Sequence, residues 1–130
     1  MTDSRRVFSN APWEKQVGYC RALQRGPHIW VTGTAPIADD GSTYAPGDPY
    51  AQTARCLSLI ETALGELDAG MQHVVRTRLY VTDITRWEAI GRAHAAVFKD
   101  FPPTTTMIQV SGLIAPDMMI EIEADAFIGE

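Results

Sequence analysis

The sequence contains no run of about eighteen apolar residues, the length that a helix needs to cross a bilayer. Its opening, MTDSRRVFSN, also lacks the apolar segment of a secretory signal, so a cytoplasmic protein with no membrane partner is expected. Basic residues are the scarcer charge: eleven Lys and Arg stand against sixteen Asp and Glu, a net charge of -5. That sign repels a phosphate backbone and no cluster of Lys or Arg overrides it, which argues against nucleic acid as a partner. Cysteine is nearly absent. Cys20 and Cys56 have no C-x-x-C spacing, which excludes a disulfide framework and a zinc knuckle and leaves two thiols packed as small hydrophobes. His28, His73 and His94 lie far apart without metal-ligand spacing, so neither a metal nor a cofactor is expected.

What is present is ordinary globular composition, 45% apolar and 21% charged over 130 residues, enough for one domain spanning residues 1–130. HIWVTGT, His28 to Thr34, is β-branched and aromatic and reads as a strand. Gly18 to Leu23 is its expected hairpin partner, across a turn at Arg25-Gly26-Pro27. The polar loop at residues 39–48 ends on Asp48-Pro49, a helix N-cap followed by a favoured first position. Leu57, Ile60, Leu64 and Leu67 then recur at helical spacing, with Gly70 at the expected end. Val75, Thr77, Leu79 and Val81 alternate with Arg76, Arg78, Tyr80 and Thr82 as a half-buried strand. A capping box at Thr85 to Glu88 opens a second helix striped by Trp87, Ile90 and Val97, which ends at Phe101-Pro102-Pro103. Two strands follow, Thr105 to Val110 and Met119 to Ile128. The expected order is ββαβαββ, with an extra strand possible at Arg5 to Ser9, and the fold class is α+β, one sheet with two helices on one face.

The other sheet face carries Glu121, Glu123 and Asp125 at i, i+2 and i+4, which repel one another unless a neighbouring strand supplies opposite charge. Arg76 and Arg78 are the expected suppliers. A mixed apolar and ion-paired face suits a subunit interface; the alternative is a solvated face, common in antiparallel sheets.

Five stretches in order carry a resemblance over nearly the whole chain: Gly18-Tyr19-Cys20-Arg21-Ala22, Trp30-Val31-Thr32-Gly33-Thr34, Val75 to Asp83, Pro103 to Val110, and Ile120-Glu121-Ile122-Glu123-Ala124. The chain resembles the RidA/YjgF family of reactive-intermediate deaminases. The resemblance implies a chorismate-mutase-like fold, a homotrimer and small-molecule clefts between subunits. It further implies hydrolysis of imines and enamines such as 2-aminoacrylate without metal or cofactor. By position, Tyr19 would line the cleft through its hydroxyl, Thr32 and Gly33 would lie at the strand end beside it, and Glu121 would position water. Each has a structural alternative: Tyr19 as an amphipathic interface residue, Glu121 as the ion-pair partner of an arginine.

The chain departs from this pattern where deaminase members carry a carboxylate-gripping arginine, in a Pro-x-Arg-Ser-like motif. Here Thr105 takes that place, followed by Thr106 and Met107, and Gly91 stands where asparagine is frequent. Threonine cannot replace the charge, which predicts binding of amino-acid imines weakened about ten- to a thousand-fold. Arg21, two residues from Tyr19 on an expected strand, is a candidate replacement cation, or else balances Glu121 or Glu123. The substrate-binding set is thus Arg21, Thr32, Gly33, Thr105, Thr106 and Met107, around a small carboxylate. Two further readings compete with the enzyme: a trimer that binds or senses a small ligand without turnover, and a ribonuclease or translation inhibitor, a label some relatives bear and the acidic balance opposes.

Overall fold

The computed structural model describes residues 4–9 and 11–129. Its six strands are β1 (Ser4–Val7), β2 (Ala22–Arg25), β3 (His28–Thr34), β4 (Val74–Val81), β5 (Thr104–Gln109) and β6 (Ile120–Phe127). They form one sheet in the order β1-β2-β3-β6-β4-β5. Only β4 and β5 run parallel, because the chain between them crosses over through a helix. The helices are α1 (Trp13–Val17), α2 (Pro49–Gly65) and α3 (Trp87–Phe98). The two longer ones pack against each other on one face of the sheet, with α2 lying against β3 and β6.

Helix α2 follows its sequence signals closely. The Asp48 carboxylate accepts from the Ala51 N–H at 3.0 Å, and Leu57, Ile60, Leu64 and Leu67 are all at most 2% exposed. Burying each such side chain contributes roughly 1.5–3 kcal/mol. The helix stops at Gly65, before Gly70, because Asp68 takes the left-handed conformation at φ 61° and reverses the chain. Aspartate tolerates that region better than most residues. At α3 the capping differs from the expected box: Asp83, not Thr85, accepts the Thr85 N–H at 3.0 Å, and a 3-10 turn at Ile84–Arg86 precedes the helix. The helix is thereby rotated so that Ile90 is buried while Trp87 is 56% exposed.

Two bulges flank the central strand. Val31 pairs with Ala124 but Thr34 pairs with Ile122, so Thr32 and Gly33 together oppose one residue of β6. On the other side Val74 pairs with Ala126 and Arg76 with Asp125, which leaves Val75 as an extra residue. Val75 is therefore half exposed and Val74 takes the buried position, against the simple alternation. Along β6 the alternation holds: Ile120, Ile122, Ala124 and Ala126 are buried, and Glu121, Glu123 and Asp125 face the uncovered side. Arg78 reaches Glu123 at 3.6 Å and Asp125 at 3.4 Å, and the Tyr80 hydroxyl donates to Glu123 at 2.9 Å. Arg76, displaced by the bulge, forms no ion pair among the described residues.

Candidate active site

The β2 strand begins only at Ala22, so Tyr19 and Arg21 do not share a strand as their spacing suggests. The five residues of α1, too few to show a periodic stripe, end on Gly18, whose left-handed φ of 92° favours glycine. The N–H groups of Gly18 and Tyr19 both donate to the Glu14 carbonyl, at 2.9 and 3.0 Å, which ties Tyr19 to the helix end instead of the sheet. Arg21 does join the ladder, donating its N–H to Val7 O at 2.7 Å and accepting from the Thr32 N–H at 3.0 Å. Its guanidinium lies 5.6 Å from the Tyr19 ring centroid, so the two side chains meet all the same.

Arg21 is not a free cation. Its Nε and Nη2 donate to Glu14 Oε2 at 3.2 and 3.1 Å, and its Nη1 donates to the Gly33 carbonyl at 2.9 Å and to Thr34 Oγ1 at 3.4 Å. The pair is nearly dry, the Arg21 side chain 11% and the Glu14 side chain 3% exposed. Glu14 accepts further bonds from the Ser9 N–H and hydroxyl. The ion-pair partner of Arg21 is Glu14 of α1, in place of the expected Glu121 or Glu123.

Glu121 rests against Gly33: a Cβ at that glycine would fall on the Glu121 carboxylate. Among the described residues its carboxylate forms neither a hydrogen bond nor a salt bridge. Burial pushes its pKa up, the Arg21 charge pulls it part of the way back, and Glu123 raises it again. Glu121, Arg21, Thr32, Gly33, Tyr19 and Arg55 line one open cleft of about 980 Å³. A second, of about 1230 Å³, lies over the uncovered sheet face with Trp30, Arg78, Glu123 and Asp125, and shares Tyr19 and Thr32 with the first.

A family model described as Endoribonuclease L-PSP matches residues 8–128. The chain belongs to the YjgF/RidA family. It is 35% identical over 125 residues to an uncharacterized protein of Streptomyces coelicolor, covering 96% of this chain and 92% of that one. Among solved structures it is similar to Rv2704 of Mycobacterium tuberculosis, a member of the YjgF/YER057c/UK114 family, at 44% identity and TM-score 0.88, covering 97% and 100% of the two chains. E. coli TdcF, solved with bound serine, shares the fold at 20% identity and TM-score 0.79, over 96% and 94% of the chains.

Within one chain, three of the positions carried over from the YjgF/RidA pattern line neither cleft. The Thr105 hydroxyl points to the helix-covered side, 2.8 Å from Thr77 Oγ1, which is in turn 2.9 Å from His94 Nε2. Thr106 is exposed and Met107 packs against the core from the neighbouring register position. The three are held there by parallel pairing of β5 with β4, Thr105 opposite Thr77 and Met107 opposite Leu79. Residues that sequence reasoning missed include Glu14, whose pairing with Arg21 leaves no local pattern, and Arg55. Arg55, the one basic residue of α2, donates from Nε to the Ile37 carbonyl at 2.7 Å and from Nη2 to Asp39 at 3.1 Å. Its guanidinium lies 5.6 Å from the Tyr44 ring centroid, and among the described residues its Nη1 makes no bond.

Proposed function

We propose that this protein hydrolyses a small imine or enamine that bears a carboxylate, in the Glu121 cleft, and that it does so as a homotrimer. The observation that carries the reading is the Glu121 carboxylate itself, unpaired, half-buried and made more basic by burial. A carboxylate in that state can accept a proton from water. An enamine first tautomerises to its imine. The water oxygen then adds to the C=N carbon while one water proton passes through Glu121 to the nitrogen, giving a carbinolamine. The carbinolamine hydroxyl gives up its proton to the nitrogen as the C–N bond breaks, so that ammonia leaves a carbonyl product. The serine bound to E. coli TdcF supports a ligand of this size.

With Arg21 saturated, the substrate carboxylate falls to Arg55, whose guanidinium is held by the Ile37 carbonyl, paired with the exposed Asp39 and set against the Tyr44 ring, with Nη1 open. Thr105 supplies no charge to grip a carboxylate, which disfavours 2-aminoacrylate. Release of ammonia and keto acid from a panel of amino-acid-derived imines tests the reading. Glu121→Gln should lower turnover by about 10²–10⁴-fold; unchanged turnover would remove Glu121 from the chemistry. Ligand binding with no ammonia release would favour the second reading, a non-catalytic binding trimer, which the missing arginine supports.

Exposed Phe8, Trp30 and Ile108, with partly exposed Arg78, Glu123 and Asp125, support burial of the uncovered face between copies. Light scattering should give a mass near three times 14.3 kDa, and a clean 14.3 kDa species would sink the trimer. The endoribonuclease of the family description is not carried to this chain, because its net charge of -5 opposes RNA.

A further inference from the structure

Gly33 is held from two sides. Arg21 Nη1 grips its carbonyl at 2.9 Å, while the Glu121 carboxylate lies where a side chain at Gly33 would be. The β3 bulge makes this possible, because it leaves Thr32 and Gly33 together opposite one residue of β6 and frees the Gly33 carbonyl for Arg21. We infer that Arg21, anchored by Glu14, is a positioning residue for Glu121: it fixes the peptide on which that carboxylate rests and sets the field around it. The inference rests on the reading of Glu121 as the group that handles water.

Two other roles for Arg21 fit less well. As a ligand grip it would have to surrender bonds, since Nε, Nη1 and Nη2 are all engaged. As a device for stability alone it is poorly chosen, because the desolvation of two charges this buried offsets most of their attraction. What the pair does supply is a fixed direction. Ser9 and Arg21 hold both Glu14 oxygens, Glu14 holds two guanidinium nitrogens, and the third is aimed at Gly33. The charged and titratable groups coupled to Glu121 are Arg21, Glu123 on its own strand, Tyr80 on β4 and Cys56 on α2. Arg21 is the one cation among them.

The test reads the Glu121 carboxyl directly, by ¹³C NMR titration of the unliganded full chain, beside the pH profile of kcat/KM. Arg21→Gln removes a positive charge, so the Glu121 midpoint should rise by about 0.5–1 pH unit and the acid limb of the profile should follow it. Glu14→Gln leaves Arg21 without its counter-charge, so the midpoint should fall. Opposite shifts from the two halves of one ion pair are a signature that a merely structural role does not produce. Arg21→Lys, which keeps charge and fold, should hold the midpoint within about 0.3 unit. Because the ammonium cannot reproduce the fork, it should lower kcat about ten-fold with little change in KM. Midpoints unmoved in the two Gln variants, or moved in the same direction, would overturn the inference. If Arg21→Gln fails to fold, Glu14→Gln and Arg21→Lys decide the matter, and an unshifted Glu14→Gln with a fully active Arg21→Lys overturns it. Should Glu121→Gln retain turnover while the midpoints shift as described, the positioning stands and the catalytic reading of Glu121 falls.

Discussion

Gln52 offers a measurable link between the core and the site. It is fully buried in α2, and its amide acts as a short piece of strand: Nε2 donates to Asp117 O at 3.0 Å and Oε1 accepts from the Met119 N–H at 2.8 Å. Met119 is two residues before Glu121, so the clasp sets where β6 begins. In Gln52→Ala the Met119 N–H loses its partner away from bulk water, and the Asp117 carbonyl must turn to solvent. An orphaned buried donor costs about 1–3 kcal/mol and the second lost bond about 1, for roughly 2–4 kcal/mol in all. With an unfolding entropy near 2.1 cal/mol/K per residue, that is a Tm lower by about 7–15 °C for a chain of this length.

Gln52→Glu sharpens the test. An ionised carboxylate still accepts from Met119 but repels the Asp117 carbonyl oxygen, whereas a protonated carboxyl can serve both. The folded pKa of the new acid should therefore lie above its unfolded value of about 4.3. A group raised in this way keeps its full stability below the unfolded pKa and loses it as pH rises through the folded one. Thermal unfolding at pH 4 and pH 7 should show the Glu variant closer to wild type at the acid end. A Gln52→Ala midpoint within about 3 °C of wild type, or a Glu variant whose deficit ignores pH, would refute the clasp as a significant contributor.

Gly33→Ala should push the Glu121 carboxylate aside, because its Cβ would occupy the same space, while Tm changes little since the obstacle is the end of a flexible side chain. Turnover of the substrate should fall with Tm intact, and an active Gly33→Ala would break the link between the two residues. Desolvation lowers the pKa of His94 below 6.5. Its contribution to stability is therefore present above pH 6.5 and lost as pH falls through the depressed folded value, so His94→Gln should flatten the acid side of the stability curve. An identical acid-side slope in both proteins would show that His94 titrates without consequence.

The elements legible in the sequence were those whose signal is local and repeated. Leu57, Ile60 and Leu64 on one helical face mark α2, and strict alternation marks β6, because each pattern has one way to bury its apolar side. Trp87 defeated the same logic: its spacing from Ile90 is helical, but a cap at Asp83 and a 3-10 turn move the start of α3 and carry Trp87 to solvent. Single extra residues were equally invisible. Of the positions that the resemblance supplied, Tyr19, Thr32, Gly33 and Glu121 line one cleft of the single chain, while Thr105, Thr106 and Met107 lie on β5 away from it.

The bulges explain which of the three acids on β6 is left available for chemistry. From alternation alone, Arg76 and Arg78 share the work of neutralising Glu121, Glu123 and Asp125. The extra residue at Val75 breaks that arrangement, and Arg78 alone takes both Glu123 and Asp125. Glu121 keeps no direct partner, yet across the strand the second bulge sets Gly33 beneath its carboxylate and Arg21 behind that peptide. A paired carboxylate would be a weak base, and one desolvated without any cation nearby would be protonated. Glu121 sits between these limits, with burial raising its proton affinity and Arg21 restraining the rise. One inserted residue on each side of β6 separates this carboxylate from its two neighbours on the same strand face.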